Sequence, residues 1–219
     1  MLLQRSLLDR FLPPLPPGSS VAEVGPGRGE FARACLEREL EYVGIEPSAE
    51  LAGDLRARGF RVLTEAVPPL PLESGSIDLV HSHDFVEHLL DYRAVMEFFS
   101  EAFRVLKPGG YISVVGPNYE TIPNLYFKYE YQHSFIVTRH RLINMLRDAG
   151  FVPESSRSFL FALSRGWNWF DRILAHTALY LLTSAPFQSL VRGLSSDAVQ
   201  FRFNKNLFDH TAALARKPD

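Results

Sequence analysis

The sequence predicts an α/β fold, a doubly wound sheet whose strands alternate with helices, and three stretches predict it. In the first, Val21-Ala22-Glu23-Val24 runs into Gly25-Pro26-Gly27-Arg28-Gly29 and then into a polar, helix-compatible segment from Glu30 to Leu40. An apolar run, closely spaced glycines and a helix make a strand, a tight turn and a helix whose first amides face a ligand. Gly25 and Gly27 let the backbone turn sharply and approach that ligand with no Cβ between them. In the second, Glu41-Tyr42-Val43-Gly44-Ile45-Glu46-Pro47 is a short strand that ends in a carboxylate, roughly 20 residues beyond the glycines. A carboxylate so placed can accept hydrogen bonds from both hydroxyls of a ribose. In the third, the apolar run Ile77 to His83 is followed by a helical pattern and then by Tyr111-Ile112-Ser113-Val114-Val115. That alternation implies right-handed crossovers between parallel strands.

The remaining elements fall around these. Leu2, Leu3, Leu7, Leu8, Phe11 and Leu12 recur at helical spacing, so a short amphipathic helix is expected before Pro13-Pro14-Leu15-Pro16-Pro17-Gly18 stops it. Ser48 is the expected N-cap of a helix through Leu51 and Leu55 that ends near Gly59. Arg61-Val62-Leu63-Thr64-Glu65 reads as the third strand. Val95, Met96, Phe99, Phe103 and Leu106 mark one face of the helix after strand four, and Lys107-Pro108-Gly109-Gly110 reads as its stop. Thr138 is the expected cap of a helix through Leu142, Met145 and Leu146 to Gly150, where Phe151-Val152 begins strand six. His210 to Lys217 is the seventh and last strand.

Composition narrows the function. With 219 residues, 46% hydrophobic and 22% charged, the chain is long enough for one buried core. A net charge of −2 and no basic stripe give a nucleic-acid partner no support. The single cysteine, Cys35, excludes an internal disulfide framework and most zinc sites. Met1 to Ser6 lacks the long apolar core of a signal peptide, so a cytoplasmic location is expected.

Taken in order, Glu23-x-Gly25-x-Gly27-x-Gly29, Val43-Gly44-Ile45-Glu46-Pro47, Leu70-Pro71-Leu72 with Ser76-Ile77-Asp78-Leu79-Val80, Glu87-His88-Leu89, and Leu106-Lys107-Pro108-Gly109-Gly110 resemble the motif series of class I S-adenosylmethionine-dependent methyltransferases. The resemblance runs from about Val21 to Phe151 and includes the final strand. It implies a Rossmann-like, mostly parallel seven-stranded sheet with an antiparallel last strand. It also implies S-adenosylmethionine as cofactor: Glu23, Gly25, Pro26, Gly27 and Gly29 around its methionine part, Glu46 with Pro47 at the ribose, Glu65 and Ala66 at the adenine, and His83 beside the sulfonium. One domain over residues 1–219 is expected: 1–19 the N-terminal helix and proline-rich connector, 20–159 the cofactor-binding core, 160–205 a helical insertion, and 206–219 the last strand and tail.

The acceptor side is read from residues and resemblance together. His83, His88 and His133 are the main candidates for a general base, with His81 and Tyr119 behind them. Asp84-x-x-Glu87-His88, on one helical turn, with His133 from the loop beyond strand five, forms a candidate site for Mg²⁺ or another divalent ion. It resembles the metal set of ubiquinone-pathway O-methyltransferases, with Asp84 where those commonly have Glu. Tyr119, Tyr126, Phe127, Tyr129, Tyr131 and Phe135 would wall an acceptor pocket or simply pack under a long loop. The apolar run within 160–205 is too short to span a bilayer, which takes roughly 20 residues. A lid or homodimer surface is its first reading and peripheral membrane contact its second. The favoured function is methyl transfer to a small-molecule hydroxyl; a catalytically silent binding module is the alternative. An NAD(P)-dependent oxidoreductase is disfavoured, because the glycines run G-x-G-x-G rather than G-x-G-x-x-G.

Overall fold

A computed structural model of the chain describes residues 11–121, 126, 132–160, 177, 181–182, 184, 186–187, 189 and 209–219. Its sheet has seven strands: β1 (Ser20–Val24), β2 (Glu41–Ile45), β3 (Val62–Leu63), β4 (Ile77–His83), β5 (Leu106–Pro117), β6 (Val152–Leu160) and β7 (Asp209–Arg216). They lie in the order β3-β2-β1-β4-β5-β7-β6. The first five are parallel, and β7 runs antiparallel between β5 and β6. Helices α1 (Glu30–Leu36), α2 (Ala49–Ala57), α3 (Tyr92–Val105) and α4 (Arg139–Asp148) cover the two faces. The expected doubly wound sheet with its antiparallel last strand is therefore the fold observed.

Caps set the helix starts. Ser48 accepts from the Leu51 amide and Thr138 from the Arg141 amide, as their side-chain chemistry predicts. Asp91 does the same for Ala94 and starts α3, a cap that the apolar periodicity did not reveal. Val95, Phe98, Phe99, Ala102 and Val105 of α3 are buried against Ala22, Val24, Val80, Ile112 and Val114 of the sheet. The opposite face packs Val21, Leu79, Val115, Ala212 and Leu214 under Phe31, Ala32 and Cys35 of α1.

Four details depart from the sequence reading. The third strand pairs only at Val62 and Leu63, so Thr64 and Glu65 are already loop. Lys107-Pro108-Gly109-Gly110 does not end the helix in a separate turn, since β5 starts at Leu106 and holds these four residues in a register shift between Ile77 and Leu79. Gly110 is required there, because a Cβ would come 2.9 Å from the Lys107 carbonyl oxygen and 3.1 Å from that of Asp78. Leu160, placed at the edge of the insertion, belongs to β6. Asp84 is outside any helical turn, at φ 52, and the following 3-10 turn spans only Val86–His88. Of the N-terminal helix expected over Leu2 to Leu12, all but Phe11 and Leu12, and nearly all of the 160–205 insertion, lie outside the described residues, so neither is located here. Among the described residues, no helix is long and apolar enough to cross a membrane.

One face of the sheet carries a row of buried polar groups under α1. The Tyr42 hydroxyl donates to Glu23 at 2.7 Å, Glu23 lies in register with His81, and His81 Nδ1 is 3.1 Å from the Ser113 hydroxyl. Phe31 stacks on the His81 ring at 4.0 Å, and His81 Nε2 has no hydrogen-bond partner among the described residues. Burial raises the Glu23 carboxyl to about 7 against the lowering effect of Tyr42. Burial, with His83 adding to it, lowers His81 to about 3.

These two groups have opposite linkage. Unfolding releases the Glu23 proton between about 4.5 and 7, so its contribution falls as pH rises through that window. Unfolding takes up a proton on His81 between about 6.5 and 3, so its contribution falls as pH drops. Each slope is roughly 1.4 kcal/mol per pH unit, and from about pH 4.5 to 6.5 they cancel. Relative to wild type, urea unfolding of Glu23→Gln should gain stability with rising pH in that window, and His81→Gln should lose it. Two variants that simply parallel the wild type would show that these groups are not held in their neutral forms.

Candidate functional site

The carboxyl ends of β1, β2, β4 and β5 finish along one edge of the sheet, and β1 leads to β2 on one side while β4 lies on the other. Ligands of open α/β sheets bind at such a switch point. The glycine turn stands there. The Gly25 amide donates to the Ile45 carbonyl at 3.0 Å and the Gly29 amide to the Pro26 carbonyl at 2.8 Å, which closes the loop onto the start of α1. Gly29 caps that helix at φ 69, a left-handed conformation that favours glycine, and a Cβ there would stand 2.7 Å from Leu55 Cδ2. Pro26 is buried over Gly44, where a Cβ would come 3.2 Å from the proline ring.

Glu46 directly follows β2 at the same edge. Its carboxylate accepts from the Ser48 amide at 3.0 Å and it is 7% exposed, which fixes the side chain beside the glycine turn. Pro47 follows it and is exposed. Glu65 and Ala66 are exposed in the loop beyond β3, one strand further out. Phe85, which the sequence reading passed over, has its side chain 3.8 Å from where a Gly25 Cβ would be and packs edge-on against Phe98. A single aromatic after a strand carries no signal of its own; only the fold puts it over the first glycine.

The acceptor candidates divide into two groups. Glu87, His88 and His133 each offer a ligand atom within 4.8 Å of the others. Glu87 is wholly buried and His133 nearly so, while His88 is exposed. The Glu87 carbonyl accepts from the Ser134 and Phe135 amides, at 2.8 and 3.0 Å, and this clasp brings His133 to His88 with ring centroids 5.1 Å apart. Tyr126 packs edge-on against His133 at 4.8 Å, and its hydroxyl donates to the Phe135 carbonyl while accepting from the Val137 amide. Of the predicted aromatic wall, Tyr119, Tyr126 and Phe135 are seen. Tyr126 and Phe135 are buried packing, and Phe127, Tyr129 and Tyr131 lie outside the described residues.

Asp84 is not in that group. Its left-handed backbone, tied by its amide to the Val115 carbonyl at 3.0 Å, turns the carboxylate toward His210 Nε2 at 3.1 Å and His83 Nε2 at 3.8 Å. The four-residue set that sequence spacing suggested is thus divided, because spacing assumed a helical turn that begins only at Val86. His210 was missed; its place opposite Pro117 follows from the antiparallel register of β5 and β7, which no local pattern encodes. Burial, partly countered by Asp84, holds the His83 imidazole below its ordinary range. His81, the lesser base candidate, sits in the polar row beneath α1 rather than at this edge.

Comparison with known proteins gives this edge its context. Residues 3–156 match the family profile described as "Methyltransferase domain". An uncharacterised methyltransferase of Mycobacterium sp. (strain JLS) is 37% identical over 97 residues, 43% of this chain and 37% of that protein, so the chain spans well under half the length of that curated relative. A SAM-dependent methyltransferase from Archaeoglobus fulgidus superposes with a TM-score of 0.66 at 22% identity, over 99% of this chain and 94% of the other. Phosphoethanolamine N-methyltransferase 2 of Haemonchus contortus, solved with S-adenosyl-L-methionine, superposes with a TM-score of 0.68 at 18% identity, over 99% of this chain and 53% of the other. At those identities the two solved structures speak for the fold. The profile match covers most of the chain and includes the glycine turn, Glu46, His83, His88 and His133, with His210 beyond it, and on it the chain belongs to the class I S-adenosylmethionine-dependent methyltransferase family.

Proposed function

We propose that the chain transfers a methyl group from S-adenosylmethionine to a hydroxyl oxygen of a small molecule. The observation that carries this is the placement, on one sheet edge, of a glycine turn and Glu46 beside a cluster of imidazoles and a carboxylate. The bound cofactor supplies an already activated methyl group. The chain's residues then have to bind, align and exclude water. Glu23, Gly25, Pro26, Gly27 and Gly29 form the wall for its methionine part, and Glu46 with Pro47 is assigned to the ribose. Glu65 and Ala66 are assigned to the adenine, and His83 stands where the reacting centre would lie.

A hydroxyl acceptor must also lose a proton. His133, buried and held between Tyr126 and His88, is the first candidate for the base, with His88 next to it. The family resemblance also implies a divalent ion here. Glu87, His88 and His133 fit one as a donor set of two nitrogens and one carboxylate, which suits Mn²⁺ or another transition ion better than Mg²⁺. Such an ion would supply Lewis acidity toward the acceptor hydroxyl.

Three measurements test this reading. Calorimetric titration should show binding of S-adenosylmethionine and S-adenosylhomocysteine but not NAD. Glu46→Ala should weaken the first two by about 10–100-fold, the effect of losing charge-assisted hydrogen bonds of roughly 1.5–3 kcal/mol; unchanged affinity would overturn the ribose assignment. Labelled methyl transfer to a panel of hydroxyl acceptors should fall by about 10²–10⁴ in His133→Ala, the size of a general-base contribution. Loss of activity in EDTA, with recovery on adding Mn²⁺ that Glu87→Gln abolishes and His210→Ala does not, would assign Glu87, His88 and His133 as ligands. Activity indifferent to EDTA would leave His133 as the base.

A further inference from the structure

A second convergence of donors lies at the same edge, built from residues that neither sequence spacing nor the family resemblance joins. β4 ends at His83, and Asp84 follows it in the left-handed region with its amide held by β5. β7 runs antiparallel to β5 and brings His210 opposite Pro117, so that its side chain reaches Asp84 from the far side. Asp84 Oδ1 is 3.1 Å from His210 Nε2 and Asp84 Oδ2 is 3.8 Å from His83 Nε2. The two imidazoles stand edge to face with centroids 5.6 Å apart, and one ligand atom from each of the three residues lies within 4.8 Å of the others.

That geometry is close to a coordination shell. Nitrogen and oxygen ligands held at about 2.0–2.2 Å from a tetrahedral ion are roughly 3.4 Å from one another. The spacings of 3.1 and 3.8 Å, each to a different oxygen of Asp84, bracket that value. Both rings turn the same nitrogen, Nε2, toward the carboxylate. Two imidazoles and one carboxylate form a donor set for borderline transition ions, not for the oxygen-preferring Ca²⁺ and Mg²⁺. Two of the ligands stand on β4 and β7, the strands that flank β5, and the third on a residue whose amide is hydrogen-bonded to β5, so their positions are set before any ion arrives.

We propose that His83, Asp84 and His210 form a binding site for a divalent transition-metal ion of the zinc class, with the remaining coordination positions open to water or an acceptor oxygen. The site is separate from Glu87, His88 and His133 and does not require the methyl-transfer reading. With an ion in place, His83 serves as a ligand and not as a base.

Cobalt tests the proposal, since Co²⁺ in an imidazole–carboxylate site of low coordination absorbs visibly and is displaced by Zn²⁺. The chain is treated with chelator, exchanged, and titrated with Co²⁺ in the His133→Ala background, which removes a ligand of the other group; Glu87→Gln serves if that variant does not fold. One equivalent of Co²⁺ with a visible spectrum, displaced by Zn²⁺, is expected. Adding His210→Ala or Asp84→Asn should weaken it by more than about 100-fold, since losing even an outer partner costs roughly 10–100-fold. An unchanged cooperative urea transition in each variant shows that the fold is intact. No stoichiometric Co²⁺ in the His133→Ala background, or a Co²⁺ affinity that neither His210→Ala nor Asp84→Asn changes, overturns the proposal. Metal binding without cofactor binding would leave this site standing and sink the transferase reading alone.

Discussion

The pairing of β1 with β4 is the constraint on which the rest depends. It joins the half of the sheet that runs outward through β2 and β3 to the half that runs through β5, β7 and β6. At its lower end a polar knot holds the two strands in register. Asp78 of β4 accepts from the Ser20 amide and hydroxyl, at 2.8 and 2.7 Å, and from Lys107 at 2.7 Å. With that end fixed, the upper ends of β1 and β4 must diverge into the glycine turn and into His83–Asp84. The crevice between them is where a ligand of this fold binds.

The two faces of the sheet carry different chemistry. The face under α3 and α4 is an apolar core of close-packed Phe, Val and Leu side chains. The face under α1 includes Tyr42, Glu23, His81 and Ser113 in a row. Neutral forms are favoured there because a charge in that layer would be cut off from water. The row lies directly beneath the glycine turn, so the protonation of Glu23 and His81 is tied to the packing that shapes the cofactor side. A polar layer of this kind is costly to a core, and its position suggests that the site, not stability, accounts for it.

The acceptor edge is more divided than a linear motif implies. Asp84, Glu87 and His88 are within five residues of one another, yet the backbone sends Asp84 toward β7 and the other two toward the segment after β5. The cause is conformational: a left-handed residue at Asp84 reverses the direction of the chain before the 3-10 turn of Val86–His88 begins. Two groups of nearly the same composition result, each completed by a histidine from a distant part of the sequence.

The chain's local patterns determined a good deal by themselves. Short apolar runs, capping residues such as Ser48 and Thr138, and glycines at Gly25 and Gly29 act within a few residues of where they stand, so the elements, their order and the glycine turn were legible. The position of Glu46 was legible too, because it directly follows β2 at the sheet edge. What tertiary structure alone decided was contact between strands and the path of irregular backbone. The β3 pairing shortened to Val62–Leu63, and the bulge took Lys107–Gly110 into β5. Phe85 came to lie over Gly25, and Asp84 joined His210 rather than Glu87. Each of these depends on the register between segments far apart in sequence, where the favourable term is burial of shared surface and no single residue's preference encodes it.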